Sequence, residues 1–149
     1  MEREFIMVKP DGVQRAHIGD IITRVERVGL KIVAMKILQV TREQAEKHYA
    51  VHRDKPFYEG LLKYITGGPS VAMVVEGWDA VKHTRRLVGA TDPHDAIPGS
   101  IRGDYGLDIG RNLVHAADSA ENAKTEYSIY FDEEELISYT RIDEAQLYA

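Results

Sequence analysis

The chain has 149 residues, no cysteine and a formal net charge of −5, with 44% hydrophobic and 29% charged residues. This length and composition predict one globular domain, residues 1–149, with a sizeable core, and the lack of cysteine excludes disulfides and thiolate metal sites. The acidic balance argues against a general nucleic-acid binder, and no stretch approaches the roughly 18 consecutive apolar residues that a membrane span requires.

The first half of the chain alternates strand and helix patterns. Hydrophobic spacing predicts, in chain order, a strand, a helix, a longer strand and two shorter helices at Glu4–Lys9, Ile18–Val28, Lys31–Val40, Thr41–Tyr49 and Phe57–Ile65. Gly29 is expected to end the first helix, and Thr41 with Gln44 forms a capping box for the second. The segment before Phe5 lacks the apolar core of a signal peptide, so a cytoplasmic location is the expectation.

The second half continues after the break at Gly67–Pro69. It predicts a strand, a helix, a short helical turn, a short strand and a long helix at Ser70–Glu76, Asp79–Val88, Ile101–Tyr105, the residues before His115, and Ser119–Phe131. The apolar run inside Ser70–Glu76 indicates burial on both faces of the sheet. Asp118 with Glu121 is predicted to form the capping box of the last helix.

The order of these elements predicts the fold class. Without the inserted pair of helices, the sequence of strand, helix, strand, strand, helix, strand is that of the ferredoxin-like βαββαβ motif. We therefore expect an α+β fold in which the helices of the two halves lie on one face of an antiparallel sheet. The paired helices form an inserted helical hairpin, and the residues after the last strand form a C-terminal extension.

The stretch Asn112–Asp118 carries the most chemical information. Leu113 and Val114 are predicted to be the last buried residues of a strand, which leaves His115 at a strand-to-loop junction where side chains can meet a ligand. Glu126 on the following helix is close enough in sequence to reach the imidazole. A carboxylate on one ring nitrogen fixes the tautomer and leaves the other nitrogen free as a nucleophile. A core histidine satisfied by a neighbour is the alternative for an isolated histidine.

The same stretch resembles the active-site signature of the nucleoside diphosphate kinases, Asn-x-x-His-(Gly or Ala)-Ser-Asp. Four of its residues match, Asn112, His115, Ala116 and Asp118, whereas Ala117 stands where the family has serine. Four further motifs follow the family's order and span nearly the whole chain: Lys9–Arg15, Asp54–Tyr58, Gly67–Pro69 and Pro98–Asp104. Five ordered blocks leave little room for coincidence.

The resemblance implies a ping-pong reaction in which His115 takes the γ-phosphoryl group of a nucleoside triphosphate and passes it to a nucleoside diphosphate. Glu126 would orient His115. The positions that match the family's binding residues are Arg85 and Thr91 for the β-phosphate, Arg102 for the transferring phosphate, Lys9 for phosphate and ribose, Tyr49 for the transferring group, Asn112 for the sugar and Phe57 for the base. Taken singly, four of these residues fit an ordinary core or surface position better, namely Lys9, Tyr49, Phe57 and Arg85, and the convergence of the set on one anionic ligand favours the binding roles.

Magnesium is the one metal that the resemblance implies, and it is expected to arrive on the nucleotide phosphates without a dedicated cage of protein carboxylates. His48 and His52 have the spacing of paired zinc ligands on a helix. No third ligand and no intervening glutamate of the usual motif is evident, so no protein metal site is predicted.

Two alternatives stay open. A nucleotide-binding pseudoenzyme is one, because Ala117 breaks the signature. A non-catalytic ferredoxin-like binding module is the other, although no strand carries the basic and aromatic pattern of an RNA-binding sheet, so no specific nucleic-acid partner is expected. The resemblance also implies a homo-oligomer, most often a hexamer, whose subunit contacts resemble the segments Ala96–Gly99 and Gln146–Ala149.

Overall fold

Four antiparallel strands form the central sheet of this computed structural model, which describes all residues from 1 to 149. They are β1 (Glu2–Val8), β2 (Lys31–Gln39), β3 (Pro69–Gly77) and β4 (Val114–Ala116). Their order across the sheet is β2-β3-β1-β4, and every neighbouring pair is antiparallel. Since β1 and β3 occupy the middle, the apolar runs Phe5–Val8 of β1 and Val71–Val75 of β3 are buried on both faces, as predicted for the run in β3.

Eight helices surround the sheet. They are α1 (Pro10–Gln14), α2 (Ile18–Arg27), α3 (Arg42–His48), α4 (Tyr58–Ile65), α5 (Ala80–Val88), α6 (Ile101–Tyr105), α7 (Ala120–Tyr130) and α8 (Glu144–Leu147), with single 3₁₀ turns at Ala50–His52, Pro93–Asp95 and Glu133–Glu135. None of the eight is long and apolar enough to cross a membrane.

Each face of the sheet carries its own hydrophobic core, because successive side chains of a strand point to opposite faces. On β1, Phe5 and Met7 belong to a cluster with side chains of α3, α4 and α7. Ile6 and Val8 belong to a second cluster with side chains of α2, α5 and α6. The helices of the two βαβ halves, α2 and α5, therefore share one face as predicted, and the inserted hairpin α3–α4 and α7 cover the other.

Several helix ends are as the sequence predicts, and one is not. Thr41 and Gln44 form the capping box of α3, and Gly29, with φ of 102°, follows the end of α2. The predicted capping box at Asp118 is wrong. Ser119 is the N-cap of α7 and accepts a hydrogen bond from the backbone N–H of Asn122, so the helix begins one residue later.

The turn that leads into β4 is held by α1, a short helix that the hydrophobic spacing does not predict. Leu113 has the left-handed φ of 71°, which is rare for a branched side chain. The Asp11 carboxylate accepts its N–H at 3.0 Å, and the backbone N–H of Lys9 donates to its carbonyl at 2.9 Å. Gly12 is required here, because a Cβ would lie 2.7 Å from that carbonyl oxygen. This clamp fixes the direction in which Asn112 and His115 leave the chain.

Candidate active site

A cavity of about 1260 Å³ opens between the α3–α4 hairpin, β4 and α7. It collects all nine residues predicted from the sequence: Lys9, Tyr49, Phe57, Arg85, Thr91, Arg102, Asn112, His115 and Glu126. Arg86, which follows Arg85 on α5, does not line it. Residues from both ends of the chain are thus brought to one place.

The cavity is positively charged although the protein as a whole is acidic. Its lining holds five cationic side chains, Lys9, Lys47, Arg85, Arg102 and Arg111, and two carboxylates, Asp118 and Glu126. Convergent cations inside a concave site raise the local concentration of anions, even in a protein with a net charge of −5. The pocket therefore suits a ligand with several negative charges.

His115 lies within β4, and its ring meets Glu126 on α7. The strand extends to Ala116, so the predicted placement of His115 at the strand end is off by one residue. Its Nε2 contacts the Glu126 carboxylate closely, whereas its Nδ1 hydrogen-bonds to no protein group. Burial lowers the pKa of His115 below its usual value, against the opposing effect of Glu126. The ring is therefore neutral near pH 7, with its proton on Nε2 and a free lone pair on Nδ1.

Glu126 is an ionised carboxylate in a partly buried position. Burial by itself raises the pKa of Glu126, but the hydrogen bonds from His115 and His48 outweigh it and hold the pKa at about 2. An ionised carboxylate accepts hydrogen bonds and donates none. Both histidines must therefore present an N–H to it, which sets the tautomer of each ring.

Sequence analysis missed the role of His48. Its side chain is only 2% exposed, and its Nε2 lies 2.8 Å from the nearer oxygen of Glu126. Because that Nε2 carries the proton, Nδ1 is an acceptor and takes a hydrogen bond from the hydroxyl of Tyr130 at 2.7 Å. The one sequence signal was the spacing to His52, which pointed to the wrong partner, since His52 does not join this cluster.

Ala117, which stands where the family has serine, does not leave the Glu126 carboxylate without hydrogen-bond donors. Ala117 is buried, 1% exposed, and its backbone N–H donates to the Phe5 carbonyl. Glu126 nevertheless receives two donors, one from each histidine. Both donors reach the same carboxylate oxygen, Oε1, so Glu126 is held by two imidazoles without any side-chain bond from position 117.

The opposite wall of the cavity is joined by a chain of hydrogen bonds. The ammonium of Lys9 donates to the Asn112 side-chain oxygen in a close contact, and the Asn112 amide donates to the Thr91 carbonyl at 2.9 Å. Burial, together with the neighbouring charge of Arg102, lowers the pKa of Lys9 to about 8. Lys9 is therefore a cation at neutral pH that loses its charge more readily than an ordinary lysine.

Arg102 is buried, 4% exposed, and its N–H groups donate to three backbone carbonyls, those of Asn112, Val114 and Gly89. Burial and the charge of Arg85 lower the pKa of Arg102 to about 10, so it stays charged at neutral pH. A guanidinium has five N–H donors. Two remain for a ligand in the cavity.

The outer part of the cavity is open. Phe57 precedes α4 and is 53% exposed, with its ring tilted against His52 at 5.4 Å between centroids. Tyr49 lies deeper, 8% exposed, and stacks flat on the ring of His48 at 4.5 Å. Phe57 can therefore offer a free aromatic face, while Tyr49 supports His48.

The carboxylates of the cavity do not form a cage for a hard cation. Glu126 is occupied by its two histidines, and Asp118 stands exposed at the rim, where it accepts a hydrogen bond from Asn122. Magnesium prefers oxygen ligands and keeps much of its water. The residues present fit a magnesium ion that enters on phosphate oxygens, with Asp118 as the available protein carboxylate.

Comparisons with known proteins agree with this geometry. Residues 2–136 match the family model described as nucleoside diphosphate kinase. A nucleoside diphosphate kinase of Archaeoglobus fulgidus is 59% identical over 148 residues, 99% of this chain and 98% of that protein. The solved structure of a halophilic nucleoside diphosphate kinase from Halobacterium salinarum in complex with CDP is 51% identical, covers 99% of each chain and has a TM-score of 0.96. The structure of a family protein from Babesia bovis has a TM-score of 0.97 at 44% identity, covering 99% of this chain and all of that one.

Proposed function

The chain belongs to the nucleoside diphosphate kinase family of phosphotransferases, and we propose that it carries the γ-phosphoryl group between nucleotides on Nδ1 of His115. One observation supports this choice of atom above all. The Nε2 of His115 is occupied by Glu126, whereas Nδ1 hydrogen-bonds to no protein group and the ring lines a cationic cavity. A neutral imidazole held in this way is a nucleophile at neutral pH.

In the first half-reaction the Nδ1 lone pair attacks the γ-phosphorus of a nucleoside triphosphate. The bond from that phosphorus to the bridging oxygen breaks, and the electron pair leaves with the nucleoside diphosphate. The ring becomes cationic as the new bond forms, and Glu126 stabilises it through the proton on Nε2. The second half-reaction reverses these steps with a different nucleoside diphosphate, which makes the overall transfer ping-pong.

Phosphoryl transfer asks the protein chiefly for alignment and for charge stabilisation at the phosphate oxygens. We assign the second task to cationic and hydroxyl side chains of the cavity, with Arg102 and Tyr49 at the transferring group, Arg85 and Thr91 at the β-phosphate, and Lys9 between phosphate and ribose. Asp118 is the protein carboxylate that could help to hold Mg²⁺ on the phosphates, where the ion would neutralise phosphate charge. Asn112 binds the sugar, and Phe57 stacks on the base.

Phosphorylation of the protein itself tests this proposal. Incubation with radiolabelled ATP and Mg²⁺ is expected to label His115, and the label is expected to be lost in acid and kept in alkali, as for a phosphoramidate. His115→Ala should lose the label and at least about a thousandfold in turnover, roughly 4 kcal/mol of barrier. His94→Ala is the matched control, since His94 is exposed and outside the cavity. A label that persists in His115→Ala would refute the assignment of the nucleophile.

We also propose that the working form is a homo-oligomer, most simply a hexamer. The edge strand β2 exposes Met35 and Ile37, 50% and 65% accessible, and the loop before α6 exposes Ile97, 66% accessible. Apolar residues on an open strand edge favour pairing with another chain. Light scattering after gel filtration measures the number of chains directly, and a monomer at micromolar concentration would contradict the proposal.

Two broader proposals complete the assignment. We propose that residues 1–149 act as one domain, because both hydrophobic cores pack on the same sheet. A single thermal unfolding transition, identical by fluorescence and circular dichroism, is expected.

We also propose that the enzyme works in the cytoplasm, where its nucleotide substrates are present. Cell fractionation that places the protein outside this compartment would exclude that.

A further inference from the structure

The two histidines and the carboxylate at the closed end of the cavity have the arrangement of a metal site. Nε2 of His48, Nε2 of His115 and one oxygen of Glu126 lie within 4.8 Å of one another. Two histidines with a glutamate are a donor set used by zinc enzymes. We propose that this triad binds a divalent transition-metal ion, Zn²⁺, and that the bound ion turns His115 off as a nucleophile, the second part resting on the function proposed above.

The distances suit a tetrahedral ion. Zinc bonds of about 2.0–2.1 Å at tetrahedral angles hold ligand atoms about 3.3 Å apart. The two Nε2 atoms are 3.3 Å apart. His48 Nε2 and the Glu126 oxygen are 2.8 Å apart, and the contact of that oxygen with His115 Nε2 is closer still, so the carboxylate has to withdraw from both rings, which a glutamate side chain achieves by rotation. All three residues line the cavity, so the fourth ligand would be a water molecule.

Tyr130 supports either tautomer of His48. A metal on Nε2 needs the lone pair there, so the ring proton moves to Nδ1, which lies 2.7 Å from the Tyr130 hydroxyl. A hydroxyl can donate or accept a hydrogen bond, so it pairs with Nδ1 in both states without moving. A histidine that ligates a metal through one ring nitrogen usually makes such a hydrogen bond through the other.

The same tautomer change at His115 removes its reactivity. With the ion on Nε2, the neutral ring carries its proton on Nδ1, the atom that attacks phosphorus in the proposed reaction. Each ring gives up its Nε2 proton to water and takes one up from water at Nδ1, so its proton count is unchanged. Magnesium does not have this effect, because it prefers oxygen ligands to imidazole.

The surrounding charge limits the affinity. Lys9, Arg85 and Arg102 line the same cavity and oppose a second source of positive charge, while Glu126 offsets one unit of it. Binding is therefore weaker than in a closed zinc site with four protein ligands and is reversed by a chelator. This fits an inhibitory ion better than a structural one.

Calorimetric titration of Zn²⁺ into the Mg²⁺-free protein tests the site without any need for activity. One ion per chain is expected, with Co²⁺ in its place giving the visible absorption of a tetrahedral complex. Tyr130→Phe keeps the ring that stacks on Phe5 and removes only the hydroxyl, and it should weaken binding by about tenfold or more. His48→Gln should weaken it further. His94→Gln, at an exposed histidine, should leave the binding of that one ion unchanged.

Equal affinity in the wild type, His48→Gln and Tyr130→Phe would overturn the site, as would the absence of a stoichiometric ion. If thermal denaturation shows that His48→Gln is not folded, the affinity of Tyr130→Phe for Zn²⁺ decides the question alone. The inhibitory step is tested by loading the protein with Zn²⁺, removing free ion and then adding ATP with Mg²⁺. Labelling of His115 should fall at least tenfold and return after chelation and renewed Mg²⁺, and unchanged labelling would overturn that step. Failure of the kinase proposal would appear separately, as no labelling in zinc-free protein.

Discussion

The two ends of the cavity differ in how far they are organised before any ligand arrives. At the closed end, His115, Glu126 and His48 already share hydrogen bonds, and the His48 side chain is 2% exposed. At the open end, Phe57 is 53% exposed and presents an aromatic face to solvent. Preorganised, water-poor groups act on the transition state, whereas open groups act on binding. Substitutions at the two ends should therefore separate kcat from KM.

The largest effect after loss of the nucleophile is expected at Glu126. Glu126→Ala removes the acceptor of two hydrogen bonds, each assisted by charge, and leaves two buried imidazole N–H groups without a partner. We expect the rate of His115 phosphorylation to fall about a hundredfold, roughly 3 kcal/mol, with little change in nucleotide affinity. Quenched-flow labelling across ATP concentrations separates the two quantities.

Glu121→Ala is the matched control for this prediction, because Glu121 lies on the same helix, is exposed and lies outside the cavity. Its rate should equal that of the wild type. A Glu126→Ala enzyme that loses affinity while keeping its rate of phosphorylation would reverse the division between the two ends of the cavity.

Phe57 tests the open end. Stacking of a base on an aromatic ring contributes about 1–3 kcal/mol in single-strand binders. Phe57→Ala should therefore raise the dissociation constants of ADP, GDP, CDP and UDP by a similar factor, at least about fivefold, while labelling at saturating ATP keeps its rate. Val51→Ala, at an exposed residue of the same wall, is the control. A loss confined to one base would indicate hydrogen-bond readout instead of stacking.

Lys9 lies between the closed and the open end of the cavity, and its charge makes the affinity for nucleotide depend on pH. The pKa of Lys9 is lowered to about 8 by burial and by Arg102, and phosphate favours the ammonium form, so nucleotide binding raises that pKa. The affinity for nucleotide is then highest below pH 8 and falls as the pH rises above 8. We expect the dissociation constant of ADP to increase about tenfold between pH 7 and pH 9. Lys9→Gln should bind more weakly and show a flat profile, and a slope that survives in this variant would exclude Lys9 as the titrating group.

The sequence predicted the four strands and all but the shortest helices, and the nine residues that it selected all line one cavity. Hydrophobic periodicity located the helices and strands, and the family motifs selected the site residues. A position such as Tyr49, taken alone, gives no reason to expect a binding role. What the sequence did not predict depends on tertiary contacts. His48 on α3 contacts Glu126 on α7, far away in the sequence. Leu113 adopts its left-handed φ because the Asp11 carboxylate accepts its backbone N–H. Glu4, the first residue of the predicted strand Glu4–Lys9, is fully buried, and burial raises its pKa to about 9.

The smallest expected effect is at Ala117, and it tests why the closed end tolerates a missing hydroxyl. A neutral hydrogen bond contributes about 0.5–1.5 kcal/mol, so Ala117→Ser should change turnover by no more than about tenfold in either direction. Because His48 already donates to Glu126, we expect the change in the wild type to be near the low end of that range. In a His48→Gln background Glu126 loses the imidazole donor of His48, and the hydroxyl introduced by the same substitution should restore part of the lost rate. Steady-state kinetics on the four proteins of this cycle measure the coupling. An inactive wild type that Ala117→Ser rescues a thousandfold would assign the orienting role to serine and identify the natural chain as a pseudoenzyme.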